Sequence, residues 1–152
     1  MFKTMKTIKA TLHDLETVAH LFKAYREFYQ QPSDIAGAKK FIEQRLTQMD
    51  SVIFLAIEEN SSHSVGFTQL YPLFSSVKMS RIYLLNDLYV DPHYRKQGIG
   101  QALLKAAQYF ALEQGATKIM LQTAQDNINA QKLYEAEGYQ AELSFITYEL
   151  PL

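Results

Sequence analysis

The sequence predicts an α/β domain on a mixed sheet of six to seven strands flanked by about four helices. Three observations carry this expectation. Residues 51–58 (SVIFLAIE) and 65–74 (VGFTQLYPLF) are β-prone runs joined by a polar, turn-like stretch, which is the pattern of a hairpin. Residues 81–90 (RIYLLNDLYV) lead through a glycine-containing turn into an amphipathic helix and then into KIMLQT, a β-α-β crossover that requires parallel pairing. Finally, 47% hydrophobic residues in a chain of 152 suffice for one full core.

Each element has its own local cause. Residues 5–10 form a short opening strand. Thr11 then caps a helix through about residue 29, with Leu12, Leu15, Val18, Ala19, Phe22 and Tyr25 at helical spacing. Gln31-Pro32-Ser33-Asp34 breaks that helix, because proline disfavours helix in the residue before it. Residues 38–49 read as a second helix, with Phe41, Ile42, Arg45 and Leu46 at the expected intervals. The strand over 81–90 stops at Asp91-Pro92. The helix over 98–114 aligns Leu103, Leu104, Ala107, Phe110 and Ala111 on one face and ends at Gly115. Residues 118–123 form another strand, 127–137 a short helix closed by Gly138, and 139–150 one or two final strands. No repeat, linker or low-complexity segment interrupts this order, so one domain over 1–152 is expected.

Composition excludes several classes of function. With no cysteine there is no disulfide scaffold, zinc finger, iron–sulfur cluster or cysteine nucleophile. A net charge of −1 disfavours a general nucleic-acid binder. No apolar run approaches the ~20 residues of a membrane helix, and the opening residues MFKTMKTIKA lack a signal-peptide core. A cytoplasmic protein is the expectation. His13, His20, His63 and His93 lack paired spacing, so no metal site is expected.

The chemistry concentrates in Arg95-Lys96-Gln97-Gly98-Ile99-Gly100, between a strand and a helix. Such a turn aims free backbone N–H groups at one point, and the helix start adds roughly half a positive charge. The glycines permit close approach and unusual backbone angles, so the turn suits a phosphate, with Arg95 and Lys96 supplying charge. An ordinary glycine-rich connection beside solvated basic residues is the other reading. Gln101-Ala102 stands where a Walker loop needs Lys-Ser/Thr, and Leu103 where a dinucleotide fingerprint needs glycine.

This turn matches Arg/Gln-x-x-Gly-x-Gly/Ala, and it follows Leu85-Asn86-Asp87-Leu88-Tyr89-Val90-Asp91-Pro92-His93-Tyr94. Downstream stands Asn127-x-x-Ala130-x-x-Leu133-Tyr134-x-x-x-Gly138-Tyr139. In these motifs the chain resembles the GNAT superfamily of acyl-CoA N-acyltransferases, closely over about 81–140 and elsewhere by element order. The resemblance implies a GNAT-like fold with a splayed central strand and acetyl-CoA as cosubstrate. It implies that the pyrophosphate lies on the amides of Gln97 to Gly100, Ile99 and the adjoining Gln101 included, near Arg95 and Lys96. The pantetheine arm would pair with Leu88, Tyr89 and Val90, at a bulge or splay that leaves backbone groups free. Asn127, with Ala130, would meet the arm near the thioester, and Tyr134 would face the sulfur.

Spacing allows a plainer reading of the last two, since Asn127 also suits a helix N-cap and Tyr134 a core aromatic. A free tyrosine has pKa ≈ 10 and a thiol about 8.5, so a hydrogen bond stabilising the developing thiolate suits Tyr134 better than full proton transfer. For the amine side the resemblance points to Asp87, on the central strand. Strand alternation should send Asn86 and Asp87 to opposite faces. Relatives acting on polyamines carry Glu-Asp here; Asn86 cannot be a base, so Asp87 either takes the proton, holds the substrate ammonium while water takes it, or caps a backbone N–H. Without cysteine or a Gly-x-Ser-x-Gly elbow, direct attack of the amine in a ternary complex is expected.

The Tyr25-Arg26-Glu27-Phe28-Tyr29 segment and the late strands resemble the polyamine, diamino-acid and histone-type branch. Tyr25, Tyr29, Asp87 and Glu142, with Asp126 as a further carboxylate, are the candidate acceptor contacts, and a small primary amine is the expected acceptor. A protein lysine or N-terminus, or a non-catalytic acetyl-CoA-binding module, are the alternatives. Relatives pair through their C-terminal strands, so a homodimer through the apolar 139–150 segment is expected.

Overall fold

The computed structural model describes residues 4–152 as two compact units, the first running to Gln122 and the second from Thr123 to Leu152. The first unit contains β1 (Met5–Lys9), α1 (Leu15–Phe28), α2 (Ile35–Gln48), β2 (Val52–Glu58), β3 (His63–Ser75), β4 (Ser80–Val90), α3 (Ile99–Glu113) and β5 (Ile119–Met120). The second contains α4 (Ile128–Ala136). The sheet order is β1-β2-β3-β4-β5, antiparallel from β1 to β4 and parallel between β4 and β5. The mixed sheet and crossover expected from the sequence are therefore present.

Strand alternation divides the core into two layers. From β2, Ile53 and Leu55 turn to one face and pack with Val18, Leu21 and Ile42 of α1 and α2, joined by Phe67 of β3. Phe54 and Ala56 turn to the other and meet α3, whose Ile99, Leu103, Leu104, Ala107 and Ala111 are buried. Both faces are thus covered, which explains why β2 and β3 read as continuous apolar runs rather than strict alternation.

Local chemistry sets the boundaries. Thr11 and Asp14 form a reciprocal capping box, with Thr11 N–H donating to Asp14 Oδ2 at 2.9 Å, but it opens a single 3-10 turn, Leu12–Asp14, before α1 proper. The second helix begins at Ile35, three residues before the expected 38, because Asp34 Oδ1 accepts the Gly37 N–H at 2.8 Å and caps it. Helix α3 ends where Gly115 takes φ +73 and the Ala116 N–H reaches back to the Ala111 carbonyl at 2.9 Å.

Two expectations are corrected. The strand expected over 118–123 forms a ladder only at Ile119–Met120, and 139–150 contains no strand, so among the described residues the sheet has five strands, not six to seven. A strand needs a partner's backbone, and among the described residues none pairs with this segment. Its Leu143, Phe145, Ile146, Tyr148 and Leu150 are exposed. Among the described residues no helix is long and apolar enough to cross a membrane.

Gly66 shows how tightly β3 and β4 approach. It pairs with Val90, and a Cβ placed on it would lie 2.7 Å from the Tyr89 carbonyl oxygen. Backbone cannot yield there as a flexible side chain would. Gly66→Ala is expected to cost about 1–3 kcal/mol, read as a lower denaturation midpoint at unchanged slope; an unchanged midpoint would refute the close approach.

Candidate functional site

The site is built around a break in one strand. Gln69 of β3 pairs with Asp87 of β4, but its neighbour Leu70 pairs with Leu85, so Asn86 is the extra residue of a β-bulge. The bulge interrupts the alternation that would have placed Asn86 and Asp87 on opposite faces. Instead the exposed Asn86 Nδ2 donates to Asp87 Oδ1 at 2.9 Å, while Asp87 itself is only 2% exposed. The expectation of opposite faces assumed an unbroken ladder and is corrected.

Asp87 is embedded in polar partners. Gln69 Nε2 donates to its Oδ2 at 2.5 Å, and Thr68 Oγ1 donates to its backbone carbonyl at 2.8 Å. Ser51 Oγ donates to Gln69 Oε1 at 2.8 Å, extending the chain to the entrance of β2. From α1, the Tyr25 hydroxyl donates to the Asn86 carbonyl at 3.2 Å and also hydrogen-bonds the Asp87 side chain. Burial pushes the Asp87 carboxyl above its ordinary range, against the opposing effect of these donors. Tyr71, pushed up to about 12 chiefly by its own burial, feels the Asp87 charge. Tyr29 packs edge-on to Tyr25, centroids 5.0 Å apart, and is half exposed. Of the expected acceptor contacts, the fold thus gathers Tyr25, Tyr29 and Asp87.

Gln69 and Ser51 escaped the sequence reading. The available signal was a glutamine inside the apolar run VGFTQLYPLF, at a position where a strand buried on both faces has no water to satisfy it.

The second feature is the other edge of β4. It pairs with β5 only at Tyr83 and Leu84, although β4 continues to Val90. From Leu85 to Val90 no strand borders that edge among the described residues, so the splay anticipated from the resemblance is present. Asp91 Oδ1 then accepts the His93 N–H at 2.9 Å and starts the 3-10 turn Pro92–Tyr94; that bond holds the Asp91 carboxyl below its ordinary value.

Beyond it the chain turns sharply, with φ +62 at Lys96 and +81 at Gly98, into α3. A Cβ on Gly98 would meet nothing within 4 Å, so glycine is required there by the backbone angle, not by crowding within the chain. No side chain caps α3, and no acidic residue lies in its first turn. The helix-start amides beside Gly98, Ile99, Gly100 and Gln101 therefore have no capping side chain and no first-turn carboxylate competing for them. Lys96 and Gln97 are exposed at the turn. Arg95, expected beside the phosphate as a source of charge, is also tied into the fold. Its Nε donates to the Val90 carbonyl at 2.9 Å, and its guanidinium lies 5.3 Å from the Phe28 ring centre and 5.8 Å from that of Tyr89. It ties the turn to the end of β4 and to the end of α1, and it occupies one of the backbone acceptors expected to be open for pairing.

In the second unit, Asn127 is the N-cap of α4, its Oδ1 accepting the Ala130 N–H at 3.2 Å. The plainer reading of Asn127 is thus realised. Helix α4 ends in a Schellman motif: Gly138 at φ +93 donates to the Glu135 carbonyl and Tyr139 N–H to that of Tyr134, at 3.1 and 3.0 Å. The accompanying side-chain contact is Tyr134 against Tyr139, ring centres 5.8 Å apart. The Tyr-x-x-x-Gly-Tyr spacing is therefore a helix stop that fixes the Tyr134 ring. Glu142 lies beyond it, exposed, accepting the Ser144 N–H at 2.7 Å and the Ser144 hydroxyl. Asp126 is exposed.

The raised Asp87 carboxyl carries a sign for stability. Its folded value lies above the ordinary 3.8, so the native state binds more protons than the unfolded state between the two. Asp87 therefore lowers stability as pH rises through that window. Asp87→Asn removes the buried charge, and exposed Asn86 is free to turn its carbonyl toward the new amide. At pH 7–8 (roughly the physiological range) its thermal midpoint is expected to equal or exceed that of the parent chain; a clear fall would contradict a costly buried charge.

Comparison with known proteins agrees with this architecture. The family model described as the acetyltransferase (GNAT) family matches residues 15–139. The chain is 49% identical over 144 residues to the uncharacterized N-acetyltransferase YhfO of Bacillus subtilis (strain 168), covering 95% of each chain. The crystal structure of a probable acetyltransferase superposes with a TM-score of 0.92 at 40% identity, covering 97% of each. Over a shorter stretch of 76 residues it is 40% identical to the thialysine N-epsilon-acetyltransferase of Bos taurus, half of this chain and 44% of that one. With the splayed β4, the uncapped turn and these likenesses together, the chain belongs to the GNAT family and is an acyl-CoA N-acetyltransferase.

Proposed function

We propose that this enzyme acetylates a primary amine of a small cationic metabolite, a polyamine or diamino acid, directly from acetyl-CoA in a ternary complex. The observation that carries the acceptor class is Asp87, a buried carboxylate at the β4 bulge, held beside Tyr25 on the strand that leads into the uncapped turn. A carboxylate with three neutral donors and little water is a strong attractor for an ammonium group. The partial likeness to a thialysine acetyltransferase points to the same class of acceptor.

Acetyl-CoA supplies the activated acyl group and a thiolate leaving group. The turn amides of Gln97 to Gln101, with Lys96, bind its pyrophosphate, and the free edge of Leu88, Tyr89 and Val90 orients the pantetheine arm. Asn127 and Ala130 support the arm near the thioester. Arg95 acts mainly by holding the turn against β4. Asp87 holds the acceptor's charge, with Tyr25, Tyr29 and Glu142 as further contacts. As the N–C bond forms and the C–S bond breaks, the amine proton leaves to water, and the Tyr134 hydroxyl hydrogen-bonds the departing sulfur. With no cysteine in the chain, a thiol-borne acyl-enzyme has no place in this scheme.

The test is an acceptor screen with acetyl-CoA over spermidine, putrescine, lysine, thialysine and a lysine peptide, read by thiol release and product mass. Turnover is expected with the small di- and polyamines. Turnover of the peptide alone, or acetyl-CoA protection without turnover, would overturn the reading. Tyr134→Phe is expected to lower kcat on the order of 10²-fold with little change in acetyl-CoA affinity, and an unaltered kcat removes Tyr134 from the mechanism. We further propose a homodimer through the apolar segment 139–150, so sedimentation should return twice the chain mass of 17.5 kDa; a 17.5 kDa species would refute it.

A further inference from the structure

Gln69 is completely buried, and both ends of its amide are engaged. With Asp87 ionised, as holding an ammonium group requires, its carboxylate only accepts hydrogen bonds, so the end of the amide facing it is the NH2 group. The carbonyl end then faces Ser51, whose hydroxyl must donate to it. The direction of every bond in the relay Ser51 to Gln69 to Asp87 is thereby set, at 2.8 and 2.5 Å. The opposite amide orientation would place a carbonyl against a carboxylate. Its other donors are Asn86, which is exposed and bonds Oδ1, and Tyr25, which reaches in from α1. Gln69 is therefore the completely buried donor to Asp87, held at both ends of its amide, and the first of the donors that favour the charged form.

We propose that Gln69, oriented by Ser51, is a positioning residue for the acceptor end of the reaction, keeping Asp87 ionised and aimed at the β4 bulge. This rests on the reading that Asp87 holds the acceptor's charge. The groups acting on Asp87 include Tyr25 from α1 and Tyr71 from β3, and Tyr71 in turn feels Arg45 of α2 and Asp50 just beyond it, a pair closed at 2.8 Å. Tyr71, pushed up to about 12 by burial, gains no charge in the working range. The acceptor amine's own ionisation is common to all variants, so the part of the acid limb that differs between the parent chain and Asp87→Asn reports on Asp87.

The experiment measures kcat/KM against pH, with acetyl-CoA and the fastest amine of the screen, for the parent chain, Asp87→Asn, Gln69→Leu, Gln69→Glu and Ser51→Ala. Removing a donor to a charged group is expected to raise the midpoint of the acid limb by about one to two pH units in Gln69→Leu. Gln69→Glu, which sets a second carboxylate against the first, should raise it further, and Ser51→Ala should raise it less, with KM for the amine rising more than kcat falls. Gln69→Leu and Ser51→Ala with the parent acid limb would overturn the proposal. Should Gln69→Leu fail to fold, Ser51→Ala and a carboxyl-carbon NMR titration of Asp87 in that variant decide it: an unmoved Asp87 titration overturns it. Parent-level kcat/KM and acid limb in Asp87→Asn would instead overturn the underlying reading of Asp87, independently of Gln69.

Discussion

One extra residue in one strand organises this molecule. Because Asn86 has no partner across the β3–β4 ladder, the chain after it shifts by one position relative to β3. That shift lets Asp87 fall opposite Gln69 and puts a charge where the pleat of an unbroken strand would have demanded a different side chain. The rest follows from supporting that charge: Gln69 and Asn86 satisfy it, Tyr25 reaches it from α1, and Thr68 holds its backbone. A buried carboxylate weakens the fold, and its retention among buried polar partners is a local conflict of the sort expected at working sites.

The opposite edge of β4 complements the bulge. Pairing with β5 stops after Leu84, so the sheet opens where the strand approaches its turn. The crossover helix α3 cannot be moved to close that gap, because Ile99, Leu103 and Leu104 lock it onto the sheet. The result is a free strand edge and an uncapped helix start in immediate succession along the chain. Arg95 links them, bonded to the last carbonyl of β4 and stacked on Phe28 and Tyr89. A cation next to a phosphate turn thus serves first as a brace.

Much of this was legible in the residues. Alternation and the crossover gave the sheet type, Gly98 gave the positive φ, and the Gly138 stop gave the end of α4. The errors have a common origin. Residues 118–123 and 139–150 are β-prone, yet propensity states only that a residue fits a pleated surface, and pairing needs a partner. Likewise, counting alternate residues sends Asn86 and Asp87 to opposite faces, which fails at a bulge because nothing local marks the residue that drops out of register.

The sequence by itself determined the family, the reaction class and the phosphate turn, because these depend on short-range patterns: two glycines at a helix start, a strand before them, a Tyr-x-x-x-Gly-Tyr helix stop. Tertiary structure alone decided which polar groups meet. Ser51, Gln69 and Asp87 are 18 residues apart at each step, so no local rule connects them. Their meeting depends on strand register, which is set by the packing of both faces of the sheet at once.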